Sequence, residues 1–146
     1  MLATAQQSII VAMYGLTDPD IVDAIIAARW RGVEIGIKLD KLQSAGQSQS
    51  AAIAQPEAEG VVVEVSKQSR QLHDKFAVID LRWIVTGSFN WTGNAENRNR
   101  ENLLVLDCPD LAWSYASEWR LILPRRTLDT LWTTVNEPQE TEPVWV

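Results

Sequence analysis

The spacing of apolar positions changes along the chain, and each change marks an element. Residues 8–15 (S-I-I-V-A-M-Y-G) form an unbroken apolar run of strand length, the pattern of a strand buried on both faces of a sheet. Residues 2–7, before it, read as the end of a helix. Thr17-Asp18-Pro19-Asp20 opens a new helix, with a capping oxygen, a proline in the first turn and acids near the positive end. Ile21, Ala24, Ile25 and Ala28 give it an apolar face, Arg29 and Arg31 sit at its negative end, and Gly32 stops it. Residues 33–39 alternate Val, Ile, Ile and Leu with Glu34, Gly36 and Lys38, a second strand. Strand, helix, strand in succession is a βαβ unit, so these two strands are expected to run parallel.

Residues 41–60 are rich in Gln, Ser, Ala and Gly and predict a loop with a weak helix near 50–58, its length limited by Pro56. A third strand follows at 61–65. Phe76, Val78 and Ile79, then Trp83, Ile84 and Val85, predict two short strands joined near Asp80-Leu81-Arg82, a hairpin. The polar stretch 92–100 predicts a short helix capped by Thr92 or Asn94, and 101–106 another strand. Residues 109–123 predict a helix that buries Leu111, Trp113, Tyr115, Trp119 and Leu121, ended by Pro124. Residues 138–146, with two prolines and several acids, read as a loose tail. There are no internal repeats.

Composition adds bounds. A chain of 146 residues, 46% hydrophobic, is long enough to bury a core without staples. The single cysteine, Cys108, excludes an intrachain disulfide, and its apolar neighbours suggest a buried structural thiol. No run has the length of a membrane-spanning helix and no signal peptide is visible, so stable membrane insertion is not expected and a cytoplasmic location is. The net charge of −6 argues against a generic nucleic-acid binder. Its distribution softens that: residues 61–126 carry 9 basic and 8 acidic side chains, including Lys67, Arg70, Arg82, Arg98 and Arg100, while residues 127–146 carry 0 and 4. A solvated mixed surface and a phosphate-backbone patch both fit. Most of the seven tryptophans are expected in the core. Trp91 falls beside the candidate site, where packing is the better reading than substrate contact.

The chemistry concentrates in residues 72–102, which contain the only histidine, His73. On a strand His73 and Lys75 would share a face, with Asp74 on the other. An imidazole beside an ammonium is costly in a core and suits an anion such as phosphate. After the second strand, Gly87 and Ser88 add backbone N–H groups and a hydroxyl, and Asn90 adds an amide; all are donors for phosphate oxygens. No His, Cys and carboxylate cluster has metal-ligand spacing, and no cofactor is indicated. A lone histidine is ordinarily a surface or satisfied core residue, so the H-x-K pair alone signals little.

The joint pattern His73-x-Lys75-x4-Asp80, followed at fixed distance by Gly87-Ser88-x-Asn90, resembles the signature of the phospholipase D superfamily, which serves phosphodiester chemistry. The chain is similar to the small single-motif branch, which holds bacterial endonuclease-like and mitochondrial cardiolipin hydrolase-like proteins. The runs M-Y-G-L-T-D-P-D-I-V-D-A-I and L-D-K fit that branch's amino-terminal half, and the likeness spans residues 8–123. It implies an α/β fold with a mixed, largely parallel β-sheet flanked by helices. One domain at residues 1–126 would be followed by a C-terminal extension with an acidic tail at 127–146. It also implies that the chain begins inside the family's first helix, with an upstream strand missing.

The resemblance implies roles as well. His73 would attack phosphorus and form a phosphohistidine, while a second motif histidine protonates the leaving oxygen and then activates water. Lys75 and Asn90 would hold the non-bridging oxygens, assisted by Ser88 and the Gly87-Ser88 backbone. Glu101 would orient and charge the histidine, and Asp80 would be structural, holding the hairpin turn or Lys75. The signature occurs once, so the second histidine must come from another chain, and a homodimer follows. No metal would be needed. The expected activity is a metal-independent phosphodiesterase, an endonuclease on DNA or RNA. The alternatives are a phospholipase D-type hydrolase of phospholipids such as cardiolipin, and an inactive nucleic-acid-binding module.

Overall fold

The computed structural model of the chain describes residues 1–66 and 71–122. Its centre is a six-stranded mixed sheet: β1 (Ser8–Met13), β2 (Glu34–Leu39), β3 (Val62–Val65), β4 (Lys75–Ile79), β5 (Trp83–Gly87) and β6 (Leu103–Asp107), in the spatial order β3-β2-β1-β4-β5-β6. β1, β2 and β3 run parallel, and β4, β5 and β6 each run antiparallel to the preceding strand in that order. The helices are α1 (Pro19–Trp30), α2 (Lys41–Ser44), α3 (Gln47–Ala58), α4 (Gly93–Asn97) and α5 (Pro109–Leu121).

Strand alternation splits the core into two layers. One face of β1 and β2 (Ile9, Val11, Met13, Ile37, Leu39) packs against Val22, Ile25 and Ala28 of α1 and Ala52 and Ile53 of α3. The other face (Ile10, Ala12, Phe76, Val78, Ile84) packs under Ala112, Ala116 and Trp119 of α5. The indole of Trp119 donates to the Val11 carbonyl at 2.7 Å. The buried Lys38 ammonium donates to the Trp119 carbonyl at 2.8 Å and lies 4.0 Å from the Trp119 ring centre. The helix α1 starts as its sequence dictates: the Asp18 carboxylate accepts from the Asp20 and Ile21 amides, and Pro19 occupies the first turn. Gly32, at φ +90, ends the turn after it.

Several expectations need correction. Residues 2–7 carry only a short 3-10 turn, Leu2–Thr4. The stretch 41–60 holds two helices rather than a loop with a weak one, and Pro56 sits inside α3. Pro56 falls in the last turn of α3, where little helix remains for it to disrupt. In α5 the buried positions are Ala112, Ala116 and Trp119, whereas Leu111 and Leu121 are exposed. The expected set 111, 113, 115, 119 and 121 had the odd-numbered spacing of a strand, and a 3.6-residue period cannot bury it. Cys108 is partly exposed rather than buried. Among the described tryptophans Trp91 and Trp119 are buried, but Trp30 is 71% exposed. Lys67, Arg70, Pro124 and the extension at 127–146 lie outside the described residues.

Candidate active site

Topology brings the chemistry together at one edge of the sheet. The carboxyl ends of β1 and β5 and the amino ends of β4 and β6 all lie there, since β1 and β5 both run antiparallel to β4 and β6 antiparallel to β5. That is the edge where open α/β sheets hold ligands. β4 begins at Lys75, so His73 sits just before the strand instead of on it. Two backbone bonds bracket His73. The Leu72 amide donates to the buried Asp40 carboxylate at 3.0 Å, and the Tyr14 amide donates to the Asp74 carbonyl at 2.9 Å. The exposed imidazole lies against the Tyr14 ring, with centroids 4.8 Å apart and planes tilted by 59°.

The Lys75 ammonium donates to the His73 carbonyl at 2.8 Å and lies 5.1 Å from the Tyr14 ring centre. Partial burial pushes its pKa below the ordinary lysine value, because a desolvated ammonium gives up its proton more readily. The charges of Asp74 and Glu101 oppose that fall. Asp74, whose charge acts on Lys75, lines the same cleft as His73.

Gly87 is dictated by close approach: a Cβ there would lie 2.2 Å from the Asn102 carbonyl oxygen, at a φ of +153. Ser88 spends its donors inside the protein. Its amide donates to the Asn102 carbonyl at 3.1 Å and its hydroxyl donates to Glu101. That hydroxyl also accepts from the Asn102 amide at 3.0 Å. The bonds from Ser88 and Asn99 hold the Glu101 carboxyl below the usual carboxylate range, with help from Lys75. Among the described residues no hydrogen bond joins Glu101 to His73; the acid instead braces the Ser88 turn near Lys75.

Asn90 differs from Ser88. Its Oδ1 is buried without a hydrogen-bond partner among the described residues, and its Nδ2 is the group that could donate to a phosphate oxygen. Its cleft is lined by Tyr14, Gln43, Ser48, Asn94, Asn97 and Arg98 among others. The next residue, Trp91, packs in the core, and its carbonyl accepts from the Thr17 and Asp18 amides.

Asp80 lies at the far end of β4 from Lys75. Its carboxylate accepts from the amides of Gln6 (3.0 Å), Gln7 (2.7 Å) and Ser8 (3.0 Å), so it anchors the entry to β1. Asp80 and Leu81 both have positive φ, 53 and 49, the two-residue turn whose twist suits a hairpin. Sequence reasoning assigned no role to Tyr14, Asp40, Gln43 or Asn99. The available signal was a polar residue directly after a buried strand, Tyr14 after β1 and Asp40 after β2, where the sheet edge places side chains over the site. Among the described residues no group of three His, Cys, Asp or Glu side chains could hold a metal ion. Nor is any described helix long and apolar enough to cross a membrane.

A sheet edge that gathers an imidazole, an ammonium and a side-chain amide has the donors that suit an anionic ligand. The family model described as "Cardiolipin synthase, PLD-like domain" matches residues 1–122, and the chain belongs to that family. It is 34% identical over 115 residues to a phospholipase D of Rickettsia conorii, covering 79% of this chain and 56% of that protein. It is 32% identical over 118 residues to a mitochondrial cardiolipin hydrolase of Chlamydomonas reinhardtii, covering 81% and 52%. The chain thus spans about half the length of these relatives. The crystal structure of Nuc, a phospholipase D family member from Salmonella typhimurium, superposes with a TM-score of 0.80 at 34% identity, covering 83% of this chain and 80% of that one.

Proposed function

We propose that the chain is a metal-independent phosphodiesterase that cleaves nucleic acid through a phosphohistidine in a site shared between two copies. The observation that carries this reading is that the sheet brings His73 and Lys75 to the same end as the loop carrying Asn90, with the Tyr14 ring lying against His73 and lining the Asn90 cleft. A nitrogen of His73 bonds to phosphorus as the bond from phosphorus to the leaving oxygen breaks. The partner subunit's His73 donates its proton to that oxygen. It then takes a proton from water, whose oxygen attacks phosphorus and frees His73. Lys75 and Asn90 stabilise the charge on the non-bridging oxygens, the contribution that usually dominates in such sites.

The hydrogen-bonding groups of Gln43, Ser48, Asn94, Asn97 and Arg98 on the cleft beside Asn90 support a nucleic acid over a lipid. The neighbouring cleft, with Phe76, Leu111 and Tyr115 on its walls, keeps phospholipid hydrolysis as the second reading. The names of the curated relatives, phospholipase D and mitochondrial cardiolipin hydrolase, also support it. An inactive nucleic-acid-binding module is the third.

The test is to incubate the protein with single-stranded DNA, duplex DNA, RNA and cardiolipin vesicles, each with and without EDTA. Nucleic-acid cleavage is expected in both conditions, is expected to weaken steeply with salt, and is expected to vanish in His73→Ala. Cleavage of cardiolipin alone would install the second reading. Strict Mg2+ dependence would end the metal-free one, and binding without cleavage would leave the third.

A further inference from the structure

We infer that Tyr14 is a positioning residue for His73, with Gln43 and Asp40 as its anchors. The inference rests on the reading of His73 as nucleophile. Among the described residues the His73 imidazole makes no hydrogen bond, so its orientation depends on what it packs against. That is the Tyr14 ring, at 4.8 Å between centroids, which also lies 5.1 Å from the Lys75 ammonium. One ring therefore borders both groups that would face a phosphate. A ring in this place helps to hold a cationic neighbour, and the imidazole becomes cationic when it carries a phosphoryl group.

Tyr14 is itself fixed from two sides. Gln43 Nε2 donates to its hydroxyl at 2.8 Å, and its own amide donates to the Asp74 carbonyl. Gln43 lies on α2, whose first turn is capped by the Asp40 carboxylate through the Leu42 and Gln43 amides. The same carboxylate, 1% exposed, accepts from the Leu72 amide. A single buried acid thus ties the turn that carries Gln43 to the peptide that precedes His73. The circuit Asp40, Gln43, Tyr14, His73 closes on itself through backbone and side chain. It holds the main chain on both sides of His73, while the imidazole itself lies against the Tyr14 ring.

The sole histidine makes a clean test, since one imidazole gives one set of signals. The full-length protein is prepared as Tyr14→Leu, Tyr14→Phe, Gln43→Met and the double variant Tyr14→Phe/Gln43→Met. The imidazole is followed by proton–carbon correlation NMR without substrate. Values of kcat and KM are measured on bis(p-nitrophenyl) phosphate. Tyr14→Leu is expected to shift and broaden the imidazole signals and to lower kcat by on the order of 10²-fold, the size of effect that a misplaced reacting group gives, with little change in KM. Tyr14→Phe is expected to restore most of kcat. Gln43→Met is expected to match Tyr14→Phe, and the double variant to be no worse than either, because all three remove the same bond.

Full kcat in Tyr14→Leu would overturn the proposal. So would a loss in Tyr14→Phe equal to that in Tyr14→Leu, which would mean that the hydroxyl acts for itself. If the wild type turns over no phosphodiester, the nucleophile reading falls. An unmoved imidazole signal in Tyr14→Leu would then overturn the positioning contact as well, and a moved one would uphold it.

Discussion

Lys75 sits where two demands meet. Desolvation draws its pKa down while the carboxylates of Asp74 and Glu101 push it up, and desolvation is the larger influence. A lowered pKa means that the ammonium loses its proton at a lower pH than an ordinary lysine does. If its charge holds phosphate, activity is expected to fall on the alkaline side before the usual lysine range is reached. Lys75→Arg, whose guanidinium stays charged there, is expected to flatten that limb at a reduced kcat. A pH–rate profile of the two proteins checks this, and an alkaline limb unchanged in the arginine variant would remove Lys75 from the role. The sign is opposite for Glu101. Its carboxyl is held below the usual range, so its bonds to Ser88 and Asn99 support the fold above the unfolded pKa. That support is lost as pH falls through the lower, folded value. Glu101→Gln is therefore expected to show a weaker acid dependence of Tm than the wild type. Equal slopes would assign the acid sensitivity elsewhere.

Elements place these residues, and the clearest case is the β4–β5 hairpin. Its turn holds Asp80 and Leu81 in the left-handed region, which side chains other than glycine adopt at a cost. Three charge-assisted bonds from the Gln6, Gln7 and Ser8 amides offset it. Asp80→Ala is expected to lower unfolding free energy by about 2 kcal/mol in urea titration while the folded fraction keeps its kcat. A loss of kcat without a loss of stability would place Asp80 in the chemistry.

The hairpin was legible because Phe76 to Val85 has apolar strands around a polar turn. The βαβ unit was legible because Asp18, Pro19 and Gly32 mark both ends of α1. Less legible was the segment 41–58. The face that α3 buries is Gln49, Ala52, Ile53 and Pro56, a helical spacing in which Ile53 is the one large apolar side chain, while Gln43 and Gln49 meet the rest of the protein through hydrogen bonds. The site was legible as a set of donors but not as a network. Spacing could propose Ser88 as a phosphate donor; only the fold shows its hydroxyl and amide already engaged with Glu101 and Asn102.

At the scale of the whole molecule, one histidine per chain sets the count. The proposed mechanism needs two, so on that proposal a pair of chains would make one site. β6 is a sheet edge on which Leu103, Leu104 and Val105 stand 51%, 55% and 46% exposed, and it begins directly after Glu101 and Asn102. A second copy seated there would bring its own site close. Leu103→Lys is expected to yield monomers by analytical ultracentrifugation and to abolish turnover, while the circular dichroism stays native. When wild type and His73→Asn subunits are mixed and allowed to exchange, activity is expected to follow the square of the wild-type fraction. Mixed dimers would lack a leaving-group acid worth about 10²–10⁴-fold. A linear dependence, or an active monomer, would mean that each chain works alone.

Trp119 closes the second core layer, and its indole reaches back to the Val11 carbonyl across 108 positions of sequence. A chain emerging from the ribosome therefore carries every residue of its candidate site, from Tyr14 to Glu101, before it has the helix that covers the other side of β1 and β4. Until α5 arrives, Ile10, Ala12, Phe76 and Val78 face water, and the strands β1 and β4 that carry Tyr14 and Lys75 at their ends are seated on one side only. Synthesis thus delivers the reactive groups early and their rigid frame late. A nascent chain exposes that bare sheet face to chaperones, and to aggregation, until about residue 119 is free to fold.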